Sequence, residues 1–240
     1  MDDLELAHSL ADRADELTMP AFAGERAFMA KAYGTPVTET DRLVERELRA
    51  LLAAARPDDG FVGEETGAAP GTSGRTWILD PIDGTGSFVA GEPGWATQLA
   101  LRDDATGAFV VGLTSAPAAG ARWWGTSGGG AHLRIGEGEP SRLHVSDAAD
   151  LAAARWVSHP VLDERLAASC GEAVPVTGHG ALMVARGHAE VCLVTDGELW
   201  DHAAFAALVA AAGGRCTLLE KGALYTNGVV HDAALALVRS

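Results

Sequence analysis

Apolar positions recur at helical spacing at the start of the chain. Leu6, Leu10, Ala14 and Leu17, with Asp and Glu between them, predict a helix that Pro20 ends or bends. A second helix is expected after Thr40. Leu43, Val44, Leu48, Leu51, Leu52 and Ala55 form its apolar stripe, opposite Arg42, Glu45, Arg46 and Arg49, and Pro57-Asp58-Asp59-Gly60 stops it. The pattern then shortens to strand-like runs: Phe61-Val62, Thr76 to Leu79, Trp95 to Leu101 and Phe109 to Leu113. Gly67 to Gly74 reads as a linker too short to separate domains. In the last third, Arg155 to Val157 and Ala189 to Val194 read as strands and Gly180 to Arg186 as a helix. A longer helix from about Asp201 to Ala212 has Phe205, Leu208 and Val209 as its apolar face and Gly213-Gly214 as its stop.

Composition narrows the classes. The 240 residues are 48% hydrophobic and 21% charged, as in soluble globular proteins, and the 29 glycines follow no period of three. A formal net charge of −15 opposes a phosphate backbone at long range, so no nucleic-acid partner is expected. An acidic protein that handles small anions needs local cations, and bound metal ions supply them. Cys170, Cys192 and Cys216 are odd in number and far apart, which argues against a disulfide framework or a zinc site. The acidic N-terminus lacks a signal pattern, and no apolar run reaches the ~18 residues of a membrane span. A cytoplasmic protein without a membrane partner is expected.

Four acidic groups carry candidate chemistry: Asp41 in Thr38-Glu39-Thr40-Asp41, Glu64-Glu65 after a strand, Asp80 and Asp83 in Leu79-Asp80-Pro81-Ile82-Asp83-Gly84-Thr85, and Asp201 at the last long helix. Each alone has an ordinary reading. Asp41 and Asp201 suit helix N-caps, Glu64-Glu65 a solvated strand end, and Asp83-Gly84 a turn. The hexapeptide Asp80 to Thr85 says more. Pro81 biases Asp80 toward extended backbone, and Asp83 follows across a tight turn, so both carboxylates can aim at one point. Gly84 permits close backbone approach, and the Gly84 and Thr85 N–H groups can meet an anion. Carboxylate oxygens with room for water suit Mg²⁺, and two metals sharing Asp80 would hold a phosphate ester from both sides.

With PVTETD (36–41), GEE (63–65), WILDPIDGT (77–85), LWDHAA (199–204) and AAGG (211–214) in this order, the chain resembles the inositol monophosphatase superfamily of Mg²⁺-dependent, Li⁺-sensitive phosphatases. LADRADEL (10–17), RPDDGFVGEE (56–65), SAPAAGARWWGTSGGGA (115–131) and TNGVVHD (226–232) look most like its bacterial histidinol-phosphatases. The resemblance implies an α/β fold, a layered α-β-α-β-α sandwich. Residues 1–150 would form an α+β half with most metal ligands, and 151–240 an α/β half supplying the last metal aspartate. It implies two or three Mg²⁺ per site. Glu64, Asp80 and the Ile82 carbonyl match ligands of the first metal, and Asp80, Asp83 and Asp201 those of the second. Thr85 and Asp41 match the pair that orients and deprotonates the attacking water, and the catalytic set is completed by Glu64. Gly84 and Thr85 N–H groups match the phosphate cradle, with Asp83 and Asp201 beside the substrate. Lys31 matches a lysine near a third, weaker metal position, and Glu65 is usually structural. A homodimer is the family expectation.

Some positions depart from that pattern. Gly86-Ser87-Phe88 stands where a polar residue and Asn are frequent, Ala211 where Glu is common, and Val194 where some members carry a substrate-selecting acid, with Asp196 and Glu198 offset nearby. These bear on which alcohol is recognised. Gly125-Thr126-Ser127-Gly128-Gly129 formally matches a serine-hydrolase elbow but has no helix behind it, and reads as a glycine-rich hairpin. His202 can touch substrate or simply lie exposed. Trp95 and Trp200 can line a pocket or pack in the core, while His179 and His188 carry no spacing that suggests a site. The expected activity is hydrolysis of a small-molecule phosphate ester, with histidinol phosphate first. A nucleotide, inositol phosphate, sugar phosphate or specialised-metabolite phosphate is the alternative. A catalytically silent regulatory homologue would have no need to keep Asp41, Glu64, Asp80, Asp83, Thr85 and Asp201 together.

Overall fold

The computed structural model describes residues 1–30, 36–161, 163–176 and 178–239. Helix α1 (Asp3–Ala23) opens with a reciprocal cap, in which Asp2 accepts the Glu5 N–H and Glu5 accepts the Asp2 N–H, each at 2.8 Å. It runs through Pro20 instead of ending there. Its last turn is held by packing of Ala21 and Phe22 against the buried Phe88 and Trp95, and tertiary contact outweighs one missing backbone bond. The hairpin β1 (Phe28–Ala30) and β2 (Pro36–Thr38) leads into α2 (Glu39–Ala55). Then come β3 (Gly60–Gly63), β4 (Gly67–Ala69), β5 (Arg75–Asp83), the short helix α3 (Thr85–Ala90), and five antiparallel neighbours in succession: β6 (Ala96–Asp103), β7 (Phe109–Ala116), β8 (Ala121–Thr126), β9 (Gly130–Ile135) and β10 (Ser141–Leu143). The rest is β11 (Trp156–His159), α4 (Glu164–Ser169), α5 (Gly180–Ala185), β12 (Val191–Val194), α6 (Leu199–Ala211), β13 (Arg215–Leu218), β14 (Ala223–Thr226) and α7 (His231–Arg239).

Strand order places β10-β9-β8-β7-β6-β5-β3-β4 in one eight-stranded sheet and β11-β12-β14-β13 in a second. Alternation along the strands sorts the layers. Trp77, Leu79, Leu99, Leu101 and Leu113 turn one face of the large sheet to α1 and α2. Leu79, Leu99 and Leu113 are wholly buried, so truncating one to alanine costs ~2–5 kcal/mol. Ile78 and Ala100 turn the opposite face to α6. Gly112 lies in that row, and a Cβ there would stand 2.5 Å from the Ala207 Cβ, so only glycine lets α6 sit this close. The far side of α5 and α6 covers Val157, Cys192 and Tyr225 of the small sheet, whose other face buries Trp156, Leu193 and Leu224 under α4 and α7. The order is helix, sheet, helix, sheet, helix, the layered sandwich expected.

Arg122, 7% exposed, pins α1 to β8 through Asp12 and Asp15 at 2.6 Å each. All three cysteines are free. No helix among the described residues is long and apolar enough to cross a membrane. Glu45, expected on the polar side of α2, is buried. Its carboxylate accepts the Glu65 and Thr66 N–H groups at 2.7 and 2.6 Å and the Thr66 hydroxyl at 2.5 Å, and so holds the turn after β3.

Candidate active site

Strand alternation would send Asp80 and Asp83, three apart, to opposite faces. The pairing shows why they meet. Asp80 lies opposite Gln98 and Asp83 opposite Ala96, so β5 spends one residue more than β6 between these pairs. This irregularity flips the alternation once and turns both carboxylates toward α6. Ile82 N–H donates to Asp80 Oδ1 at 3.0 Å, and the Thr97 hydroxyl donates to the Pro81 carbonyl at 2.8 Å, fixing the irregular step. Gly84 follows at φ +82°, and a Cβ on it would lie 2.6 Å from the Gly94 carbonyl oxygen, so the residue opening α3 must be glycine.

Asp201 arrives from the other side. It occupies the third position of α6, not the N-cap, and its Oδ2 accepts the Glu198 N–H at 2.5 Å. Asp41 stands likewise at the third position of α2. Its Oδ2 accepts the Thr38 N–H and hydroxyl at 2.7 and 2.6 Å, and Thr38 is the true cap. Ligand atoms of Asp80, Asp83 and Asp201 all lie within 4.8 Å of one another. The Thr85 hydroxyl donates to the Ile82 carbonyl at 2.9 Å and stands 3.4 Å from Asp41 Oδ1.

The electrostatics of this group are strained in the absence of a cation. Burial, then the charges of Glu64, Asp83 and Asp201, push Asp80 well above the usual carboxylate range, and Glu64 also shares a hydrogen bond with it. Burial and the Asp201 charge push Asp83 up to about 7, against the opposing hydrogen bond from Gln98. Burial raises Asp201 as well, and it raises Asp41 to about 6. Among the described residues no Arg, Lys or His forms an ion pair with Asp80, Asp83 or Asp201. An all-oxygen donor set crowded with like charges fits a hard divalent cation.

A two-lobed cavity opens at the cluster. One lobe, about 460 Å³, meets Val194, Asp196, Asp201 and His202; the other, about 320 Å³, meets Trp95, Trp123, Leu182 and Phe205. Asp83, Gly178 and His179 line both.

The other sequence candidates fall as follows. His202 lines the larger lobe, but Tyr225 Oη bonds its Nδ1 at 2.9 Å and the Asp196 carbonyl its Nε2 at 3.0 Å, so the buried ring braces the turn before Asp201. Trp95 is both buried packing and cavity wall, whereas Trp200 packs beside Ile78, Ala100 and Ala203. Val194 lines the larger lobe. Ala211 does not bear on the alcohol: it stands ten residues beyond Asp201, ~15 Å along the helix, in a separate cleft with Gly214 and Cys216. Gly125 to Gly129 is the end of β8 and the β8–β9 turn. His188 is exposed. Lys31 lies outside the described residues. Two residues of the site went unread in the sequence: His179, which carried no spacing signal, and Gln98, a polar residue inside an apolar strand run.

The profile of the inositol monophosphatase family matches residues 2–238. The chain belongs to this family. A Mycobacterium tuberculosis protein named histidinol-phosphatase is 40% identical over 254 residues, covering 98% of this chain and 96% of that protein. An inositol-1-monophosphatase of Mycobacterium leprae is 36% identical over 90% of this chain and 78% of that protein. The solved Thermotoga maritima IMPase superposes with a TM-score of 0.81 at 27% identity, covering 100% of this chain and 97% of that one. As a member of the inositol monophosphatase family, the protein is a phosphatase that hydrolyses phosphate monoesters.

Proposed function

We propose that the protein hydrolyses histidinol phosphate with Mg²⁺ at the Asp80–Asp83–Asp201 cluster. The observation that carries this reading is the irregular β5–β6 step, which sets two carboxylates of one strand against a third from α6, with no ion pair to them from Arg, Lys or His among the described residues. The 40% identity to a histidinol-phosphatase over nearly the full length of both proteins supports the substrate.

In this reading Glu64, Asp80 and the Ile82 carbonyl would hold one ion, and Asp80, Asp83 and Asp201 would hold a second. Bound Mg²⁺ supplies Lewis-acid neutralisation of the phosphoryl and leaving oxygens. The chain does the rest. Gly84 and Thr85 present N–H groups at the start of α3 to the phosphate. Thr85 Oγ and Asp41 Oδ1, 3.4 Å apart, form the pair that orients the attacking water, and Asp41 takes its proton. The Thr38 hydroxyl and N–H hold the other oxygen of Asp41, so its basic lobe keeps one direction. Residues 1–150 and 151–240 act as halves that meet at this site. The same reading makes the enzyme a cytoplasmic homodimer, with light scattering expected at twice the chain mass.

The test is phosphate release with Mg²⁺ from histidinol phosphate, inositol phosphates, sugar phosphates and nucleoside monophosphates. Histidinol phosphate is expected to have the highest kcat/KM. A higher value for any other ester contradicts the substrate and leaves the chemistry standing.

A further inference from the structure

The lobe of about 320 Å³ differs in character from the carboxylate cluster it opens on. Trp95, Trp123, Leu182, Met183 and Phe205 wall it, and Asp83 is the one carboxylate that lines it. Its other charged group is a donor. Arg186 stands exposed at this lobe and has no carboxylate partner among the described residues. At the neck, the His179 ring stacks on Phe205 with centroids 3.7 Å apart and planes 16° from parallel. His179 Nδ1 accepts the Ala181 N–H at 3.2 Å, so the neutral ring keeps its proton on Nε2, and no described residue accepts that proton. Burial, with His202 and His159 nearby, pushes the imidazole down to about 3 and so keeps it neutral.

The two lobes therefore sort chemistry. A cation gains beside Asp196 and Asp201 in the larger lobe and is opposed by Arg186 in the smaller one. A flat uncharged ring gains buried area against tryptophan and phenylalanine.

We propose, resting on the phosphatase reading above, that this lobe binds a neutral planar ring on the leaving alcohol, and that His179 Nε2–H donates to an acceptor atom of that ring. The substrate class is the phosphate ester of a short-chain alcohol bearing an unprotonated heteroaromatic ring.

The full chain with Mg²⁺ tests this by steady-state phosphate release from three esters: histidinol phosphate (ring with acceptor), 2-phenylethyl phosphate (ring without one) and glycerol 2-phosphate (no ring). The wild type is expected to rank them in that order by kcat/KM. His179→Ser keeps an N-cap acceptor for Ala181 N–H but removes the ring donor. It is expected to lower the ratio of histidinol phosphate to 2-phenylethyl phosphate by ~10-fold or more, chiefly through KM. Ala119→Trp, on an exposed turn lining the lobe, narrows it without touching the cluster. It is expected to lower both ring esters against glycerol 2-phosphate by a similar ~10-fold factor. An unchanged ratio in either variant, or a wild type that prefers glycerol 2-phosphate, overturns the subsite while hydrolysis stands. No phosphate release from any of the three esters overturns the histidinol phosphate reading on which the subsite rests.

Discussion

Asp83 is held by a neighbour that no acidic motif announces. The Gln98 amide donates to its Oδ2 at 2.5 Å, while the amide oxygen of Gln98 is buried without a partner. One carboxylate oxygen is thereby fixed, an arrangement by which outer residues can set the direction of a ligand. Gln98→Leu removes that hold at little change in volume. Its Mg²⁺ affinity, measured by calorimetry on metal-stripped protein, is expected to fall ~10–100-fold. Unaltered affinity would show that Asp83 needs no such support. Asp80, Asp83 and Gly84 were legible in the sequence because the spacing and the turn glycine are local. That both carboxylates can aim at one point was legible too; the register of β6 across β5 that brings it about was not. His179 and Gln98 become site residues only through strand and helix packing, which single positions do not encode.

At the scale of elements, two helices deliver aspartates from their third positions, α2 with Asp41 and α6 with Asp201. Read as N-caps in the sequence, both are one turn further in, where each reaches back to the preceding backbone N–H. Gly197 sets the approach of α6. It sits at φ +106°, and a Cβ there would lie 2.7 Å from His202 Nε2 and 2.9 Å from Asp201 Oδ2. Gly197→Ala is therefore expected to move Asp201 and lose ~100-fold or more in kcat/KM, with a stability loss of ~1–3 kcal/mol by chemical denaturation. Near-normal turnover would contradict the placement of Asp201 in the site. In the middle third β6 and β7 were legible because their apolar runs are nearly unbroken, whereas β8, β9 and β10, interrupted by arginine, histidine and glycine, were not. Of the two outcomes open at Pro20, the helix does not end there, and Glu45 was misread: a helix end packed on Phe88 and a carboxylate buried under a turn are tertiary facts.

At the scale of the molecule, folding gathers three carboxylates of a chain of net charge −15 within 4.8 Å of one another. Asp83 rises from 3.8 to about 7 and Asp41 from 3.8 to about 6, so between those values the folded state binds more protons than the unfolded one. Stability of metal-free protein must then fall as pH rises through this window. The melting temperature in EDTA is expected to decline from pH 4 to pH 7, with Mg²⁺ raising it more at pH 7 than at pH 5. Asp83→Asn is expected to flatten the decline and to melt higher than the wild type in EDTA while losing most activity. An Mg²⁺ increment equal at both pH values would contradict the cluster as the metal site. The central claim is that these carboxylates work only with a cation between them. It is tested most directly by titrating Mg²⁺ into EDTA-stripped protein while phosphate release from histidinol phosphate is followed. The account predicts no release in chelator and a saturable rise with Mg²⁺; full turnover in EDTA would contradict it.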